Sequence, residues 1–240
     1  MIPGAEVHGD PDITWAVSPG SIWSNVGVMV RFTPNSAARR LDALIDRYSR
    51  HGRGMGLWIT AASTPANLPE LLRARDLRCR KYFPAMLRDL TQTGASQVRP
   101  PDLECRRVED MAEFEKTAHP SIGPLTTPLR RERFAALRAL AADPSRRILG
   151  FVAWLGGKPV GASLLYLGRE TSGLHGLDVL EEYQGRGIGS ALLEHTCREA
   201  AARGASSMAL LATSEGERVY QRCAFQEVAR FGYWFRSFQR

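Results

Sequence analysis

Gln184-Gly185-Arg186-Gly187-Ile188-Gly189 runs directly into Ser190-Ala191-Leu192-Leu193, and this junction decides how the 240-residue chain is read. An apolar, strand-like run at 174–180 precedes it, and a helical pattern at about 187–202 follows. The glycines therefore occupy a turn from strand to helix. Such a turn leaves several backbone N–H groups unsatisfied at the positive end of a helix, which favours a phosphate or another anion. The spacing is not that of a dinucleotide loop, which needs G-x-G-x-x-G and a carboxylate about twenty residues on. Nor does G-K-[ST] follow, as a Walker loop requires. A tight turn without a ligand is the plain alternative.

Outward from the junction, 148–155 and 160–167 read as a hairpin around Gly156-Gly157. After the helix come a strand at 208–213, a short helix at 215–222 and a last strand or pair at 225–235. Hairpin, strand, helix, strand, helix, strand is an α+β pattern, with a mostly antiparallel mixed sheet flanked by helices. Helices are also expected at 108–117 and 129–142, with the rigid loop 119–124 between them. The first half predicts an irregular lead-in over 1–24 and a strand at 26–33. A helix over 36–50, capped by Asn35, carries Ala37, Leu41, Leu44, Ile45 and Tyr48 on one face. A strand at 57–61, a short helix from Leu68 and a strand near 80–90 complete a smaller α/β N-terminal extension. The glycines of 52–56 precede a strand and read as a turn. Thr, Gln, Gly, Ser and two prolines at 91–102 divide the chain into domains 1–95 and 96–240.

Composition excludes several classes. With 44% hydrophobic and 24% charged residues the chain is that of a folded protein. Four dispersed cysteines, Cys79, Cys105, Cys197 and Cys223, suggest neither a zinc knuckle nor a disulfide scaffold, and no metal site is read. No apolar run approaches a membrane span, and the N-terminus offers no signal-peptide pattern, so a cytoplasmic protein without a membrane partner is expected. The net charge of +7 divides into +4 over 1–95 and +3 over 96–240. Charge spread so thinly does not predict a nucleic-acid partner. An anionic small ligand accounts for it.

Taken with its surroundings, the loop resembles the signature Q/R-x-x-G-x-G/A of the GCN5-related N-acetyltransferase (GNAT) superfamily, matched by Gln184, Gly187 and Gly189. The segment 212–225, Ala-Thr-Ser-Glu-Gly-Glu-Arg-Val-Tyr-Gln-Arg-Cys-Ala-Phe, is similar to that family's terminal A-x-x-x-G-x-x-x-Y-x-x-x-G-F pattern. The resemblance runs through most of 101–240. It implies a GNAT-like fold and acetyl-CoA as acyl donor. The loop residues Gln184, Gly185, Arg186, Gly187, Ile188, Gly189 and Ser190 would hold the pyrophosphate. The pantetheine arm would lie between splayed strands, beside Leu177 and Val179, with the backbone N–H near Val179 meeting the oxygen of the tetrahedral intermediate. Tyr220 falls on the tyrosine that in many members protonates the departing thiolate. Ala224 stands where the family has glycine, which predicts a slightly reshaped turn. Residues 26–90 resemble, more loosely, a degenerate N-terminal half found in some members. That half lacks the loop and would serve structure.

The activity implied is direct acetyl transfer, in a ternary complex, to a primary amine of a small molecule or a peptide. The family often uses a glutamate on the strand before the loop as base; none lies here. His175, whose ordinary pKa suits the role, and Glu170 at the strand's start are the candidates. Strict alternation places His175, Leu177 and Val179 on one face. Cys197 and Cys223 have no partner histidine at readable spacing, so a covalent mechanism is not expected. The alternative from another class is a non-catalytic acyl-CoA-binding or sensor protein. A homodimer is the default assembly.

Overall fold

The structure is a computed structural model that describes residues 6–17, 25–50, 54–92, 99–108 and 147–238. The helices expected at 108–117 and 129–142 and the loop between them lie outside these residues. The fold is α+β, with mixed, mostly antiparallel strands flanked by helices, and it forms two compact units. No described helix is long and apolar enough to cross a membrane.

The first unit comprises residues 1–84 and 229–240. Its strands are β1 (Glu6–Asp10), β2 (Ile13–Val17), β3 (Val26–Val28) and β4 (Met55–Ile59). The segment expected to be irregular thus holds a hairpin. Asp10 Oδ1 accepts the N–H groups of Asp12 and Ile13, at 2.9 and 3.0 Å, and this Asx turn reverses the chain. The strand expected at 26–33 stops at Met29, which adopts a left-handed φ of 58°. Helix α1 (Pro34–Arg50) buries Ala37, Leu41, Leu44 and Tyr48, and the Tyr48 hydroxyl donates to Ala16 O at 2.8 Å. Each such large apolar side chain contributes about 1.5–3 kcal/mol on burial. The cap of α1 is Thr33, not Asn35, because Pro34 suits the first helical position and Thr33 O accepts the N–H of Ala37 at 3.0 Å. Helix α2 (Leu68–Arg73) packs Leu68 and Leu72 into the same core.

The second unit spans Ala85–Val228. It contains β6 (Leu103–Arg107), a strand that sequence reasoning missed, β7 (Ile148–Leu155), β8 (Lys158–Tyr166) and β9 (Thr171–Val179). Helix α3 (Ile188–Ala201), β10 (Ser207–Leu211) and helix α4 (Glu217–Arg222) follow. The β7–β8 turn has positive φ at both Gly156 and Gly157, as a two-residue hairpin loop requires. Strands β6, β7, β8 and β9 pair antiparallel in sequence order, and β10 then pairs parallel to β9. The core joins Leu149, Phe151 and Leu165 of the sheet to Ile188, Leu192, Leu193 and Cys197 of α3.

Each unit is completed by a strand whose sequence neighbours belong to the other. Strand β5 (Arg78–Asp89) starts in the first unit, and its residues 85–89 pair antiparallel with β10 in the second. Strand β11 (Gln226–Arg236) leaves the second unit, and its residues 232–236 pair antiparallel with β4 in the first. One strand, not a pair, forms the C-terminal segment.

Candidate coenzyme site

The site is built where β9 ends and α3 begins. Opposite β8, register changes between Ala162, which faces Asp178, and Leu164, which faces His175. β9 therefore carries one extra residue, and Gly176, with φ of 61°, supplies the left-handed conformation such a bulge uses. The bulge corrects the expected alternation. Leu174, Leu177 and Val179 all pack on the core under α3, whereas His175 and Asp178 are exposed. His175 makes an edge contact with the Tyr166 ring, centroids 6.1 Å apart. Gly176, a glycine inside the run expected as a strand at 174–180, was the signal available for this bulge.

Beyond β9 a single turn, Glu181–Tyr183, leads to the glycine loop. Gln184 folds back, its side-chain amide donating to Val179 O at 3.1 Å, which fixes the loop to the strand end. Arg186 donates to Glu182 O at 2.9 Å and lies over the Tyr183 ring, which holds a cation beside the turn. Gly185 and Gly187 have φ of 73° and 80°, so both positions favour glycine. Gly187 caps α3 with no side-chain hydrogen bond, while its carbonyl accepts the N–H of Ala191 at 3.0 Å. The N–H groups of Ile188, Gly189 and Ser190 consequently have no carbonyl partner within the helix. A Cβ at Gly185 would meet nothing within 4 Å, so the outer face of the loop is open. Three amides, a helix dipole and a neighbouring guanidinium make a fit for a pyrophosphate.

Helix α3 is fixed from behind. Arg88 of β5, only 4% exposed, forms a two-pronged pair with Glu194, at 2.5 and 2.9 Å. The Ser163 and Thr196 hydroxyls, both buried, hydrogen-bond at 2.8 Å. Neither tie was expected, since nothing in spacing links residues 106 positions apart.

Tyr220 lies on α4. A Cβ at Gly216 would come within 2.8 Å of its ring, so that glycine makes room for it. Burial pushes the phenol up to about 12, and the Asp178 carboxylate adds to the shift. Tyr220 and Asp178 are thus brought into electrostatic range of one another. Glu170 is not, for it stands at the start of β9, eight positions before Asp178 and roughly 25 Å away along the strand. Its carbonyl accepts the N–H groups of Ser206 and Ser207. Burial pushes the Cys197 thiol up to about 12 and raises that of Cys223, which keeps both protonated and unsuited to nucleophilic attack.

The turn at Ala224 is not reshaped. Ala224 takes φ of 64°, Phe225 N–H bonds Tyr220 O at 3.0 Å, and Ala224 N–H bonds Gln221 O at 3.1 Å. This is the bond pair that a glycine would support after a helix, here held by an alanine in a costly conformation.

A model of the acetyltransferase (GNAT) family matches residues 108–225. No curated protein has a sequence that matches the chain. Among solved structures, a GCN5-related N-acetyltransferase from Kribbella flavida is similar at a TM-score of 0.75 and 13% identity, covering 98% of this chain and 90% of that one. A conserved protein of unknown function from Staphylococcus epidermidis gives a TM-score of 0.71 and 15% identity, covering 99% and 95%. A tandem GNAT protein from the clavulanic acid biosynthesis pathway gives 0.65 and 10%, covering 100% and 85%. By these likenesses, the chain has the fold of the GCN5-related N-acetyltransferases.

Proposed function

We propose that the protein is an N-acetyltransferase that moves the acetyl group of acetyl-CoA to a primary amine of a small molecule or a peptide, directly and within a ternary complex. The observation that carries this reading is the start of α3 at Gly187, left without a side-chain cap and with three amides open. Residues 184–190 would hold the pyrophosphate. Leu177 and Val179 would lie beside the pantetheine arm. The thioester supplies an acyl group already activated for attack.

Tyr220 acts as general acid toward the departing thiolate, because a phenol raised to about 12 remains protonated at working pH. His175, one residue before the bulge glycine, is our candidate for taking the amine's proton; Glu170, roughly 25 Å from Asp178 along the strand, stands too far from the loop end to share that role. The backbone N–H at Val179 receives the developing oxyanion. In place of the expected halves 1–95 and 96–240, the first unit (1–84 with 229–240) is assigned as a degenerate half that serves structure, and the second (85–228) as the coenzyme domain. A tandem protein of the same family, similar over the whole chain, supports two related halves. We place the enzyme in the cytoplasm, with no nucleic-acid partner.

One observation favours a second reading, a non-catalytic acyl-CoA sensor: β9 contains no glutamate. Calorimetric titration with acetyl-CoA separates the outcomes, beside a folded Gly187→Trp/Gly189→Trp variant. Binding that vanishes in the variant supports the loop assignment, and no binding at millimolar coenzyme would sink it. An amine screen with thiol release as readout then distinguishes enzyme from sensor. In an active enzyme, Tyr220→Phe should lower kcat by about 10²–10⁴-fold with little change in the KM for acetyl-CoA. The native rate should show no alkaline decline near pH 10, the ordinary phenol value. A decline centred there would mean that burial does not raise the phenol, whereas a decline that persists unchanged in Tyr220→Phe would remove Tyr220 from the acid's role.

A further inference from the structure

Among the described residues, β1 of the first unit pairs only with β2 and β6 of the second only with β7, and their second edges differ in how each would meet a copy of itself. Antiparallel self-pairing of β1 about His8 would set Glu6 opposite Asp10 of the second copy, and like charges directly opposite are destabilising. Both carboxylates are already engaged by α1, Glu6 by Arg47 and Asp10 by Arg40. That edge is closed to its own kind.

Strand β6, Leu103-Glu104-Cys105-Arg106-Arg107, has the opposite character. The N–H of Val108 bonds Gly150 O at 3.0 Å, and β6 pairs with β7 in the register Arg106↔Val152 and Glu104↔Trp154. Antiparallel geometry then directs the N–H and C=O groups of 104, 106 and 108 toward β7, and those of Cys105 and Arg107 away from it. The N–H of Leu103, on the outward side, turns to Pro100 O at 3.3 Å. Glu104 and Arg106 are exposed, and Arg106 lies 4.6 Å over the Trp154 ring, which orders its guanidinium.

We propose that β6 pairs antiparallel with β6 of a second copy of this chain, about a two-fold axis at Cys105. In that arrangement Glu104 stands opposite Arg106 of the second copy, and Arg106 opposite its Glu104. The two-fold therefore forms the same ion pair twice, as an isologous interface requires. Cys105 faces Cys105 across the axis through backbone bonds alone. Its side chain packs toward the core, so no disulfide is invoked. Five residues a side bury less than the roughly 1,200 Å² of a standard interface, so the dimer is concentration-dependent and weakens with salt. The proposal does not depend on the acetyl-transfer reading.

Sedimentation velocity over a micromolar concentration series tests it. The native chain should shift from monomer toward dimer as concentration rises, and added salt should reverse the shift. Glu104→Arg and Arg106→Glu should each be monomeric throughout, since each sets like charges opposite one another. Mixing the two variants should restore a heterodimer, because arginines at 104 and 106 of one chain then meet glutamates of the other. The double variant, E104R/R106E, should dimerise like the native chain. Circular dichroism establishes that each variant is folded. A native chain that stays monomeric at every concentration overturns the proposal. So do single variants that dimerise normally, or a mixture that shows no rescue.

Discussion

At the start of α1, Thr33 and Ser36 satisfy each other's backbone. Thr33 N–H donates to Ser36 Oγ at 3.2 Å, and Ser36 N–H to Thr33 Oγ1 at 3.3 Å, a reciprocal capping box. At the start of α3 the equivalent position is Gly187, with nothing to offer. The two helices are similar in length and both bury an apolar face against a sheet. They differ in what happens to the first amides, closed by the chain itself in one and left open in the other. They differ also behind, where α1 is held by apolar packing and Tyr48, and α3 by buried polar ties to β5 and β8. A helix whose first turn is left for a ligand needs its orientation set by other means, and Glu194 and Thr196 supply them.

The largest test of this contrast is Glu194→Ala. It leaves the Arg88 guanidinium buried without its partner and should cost about 3–5 kcal/mol, read by denaturant titration. An exposed ion pair on α1, such as Arg50 with Asp46, should give under about 1 kcal/mol by the same measurement. Next comes Gly187→Thr, which gives α3 the kind of cap that α1 has. A side chain at that φ is strained and its hydroxyl competes for the open amides. We expect coenzyme affinity to fall about tenfold or more, equivalent to about 1.4 kcal/mol, by calorimetry. Unchanged affinity would mean the amides are not the ligand's partners. Thr33→Ala, the converse, should cost about 0.5–2 kcal/mol of stability and leave coenzyme affinity unchanged. The smallest effect has the other sign. Ala224→Gly relieves the left-handed alanine after α4 and should stabilise by up to about 1 kcal/mol, seen as a rise in Tm.

Titration gives a further check. Tyr220 has its folded pKa raised, so its contribution to stability is whole below pH 10 and is lost as pH rises toward about 12. Alkaline unfolding of Tyr220→Phe should be less steep in that window than that of the native chain.

The second unit was legible in the sequence where local chemistry dictates conformation. Glycines at 185 and 187 announce left-handed turns, and Gly156-Gly157 a hairpin. Near-continuous apolar runs over β7 and β8 announce strands that bury both faces. The first unit was less so. Its lead-in, rich in Pro, Gly and Asp, conceals a hairpin made by Asp10 and anchored by Trp15 stacked on His8, their rings 4.2 Å apart. Thr33 was passed over as a cap because the helix starts at Pro34, two residues earlier than periodicity suggested. The five-residue β6 is too short and too charged to show alternation. Ties across the sequence, Arg88 to Glu194 above all, had no local signal, since they exist only once strands are ordered. The bulge at Gly176 had a signal, and strict alternation overrode it.

The return of β11 to β4 sets an order on the protein's birth. Residues 232–236 are made after all the other strands described, yet they complete a sheet begun by β1 to β4. Until they emerge, β4 presents an unpaired edge and Trp234 is missing from the core of the first unit, so that unit stays unfinished while the second is made. The coenzyme unit meets no such delay, because its borrowed strand β5 is made before every other strand it contains. Vectorial synthesis therefore favours the later-encoded unit maturing first, with the earlier-encoded one waiting for residues 232–236.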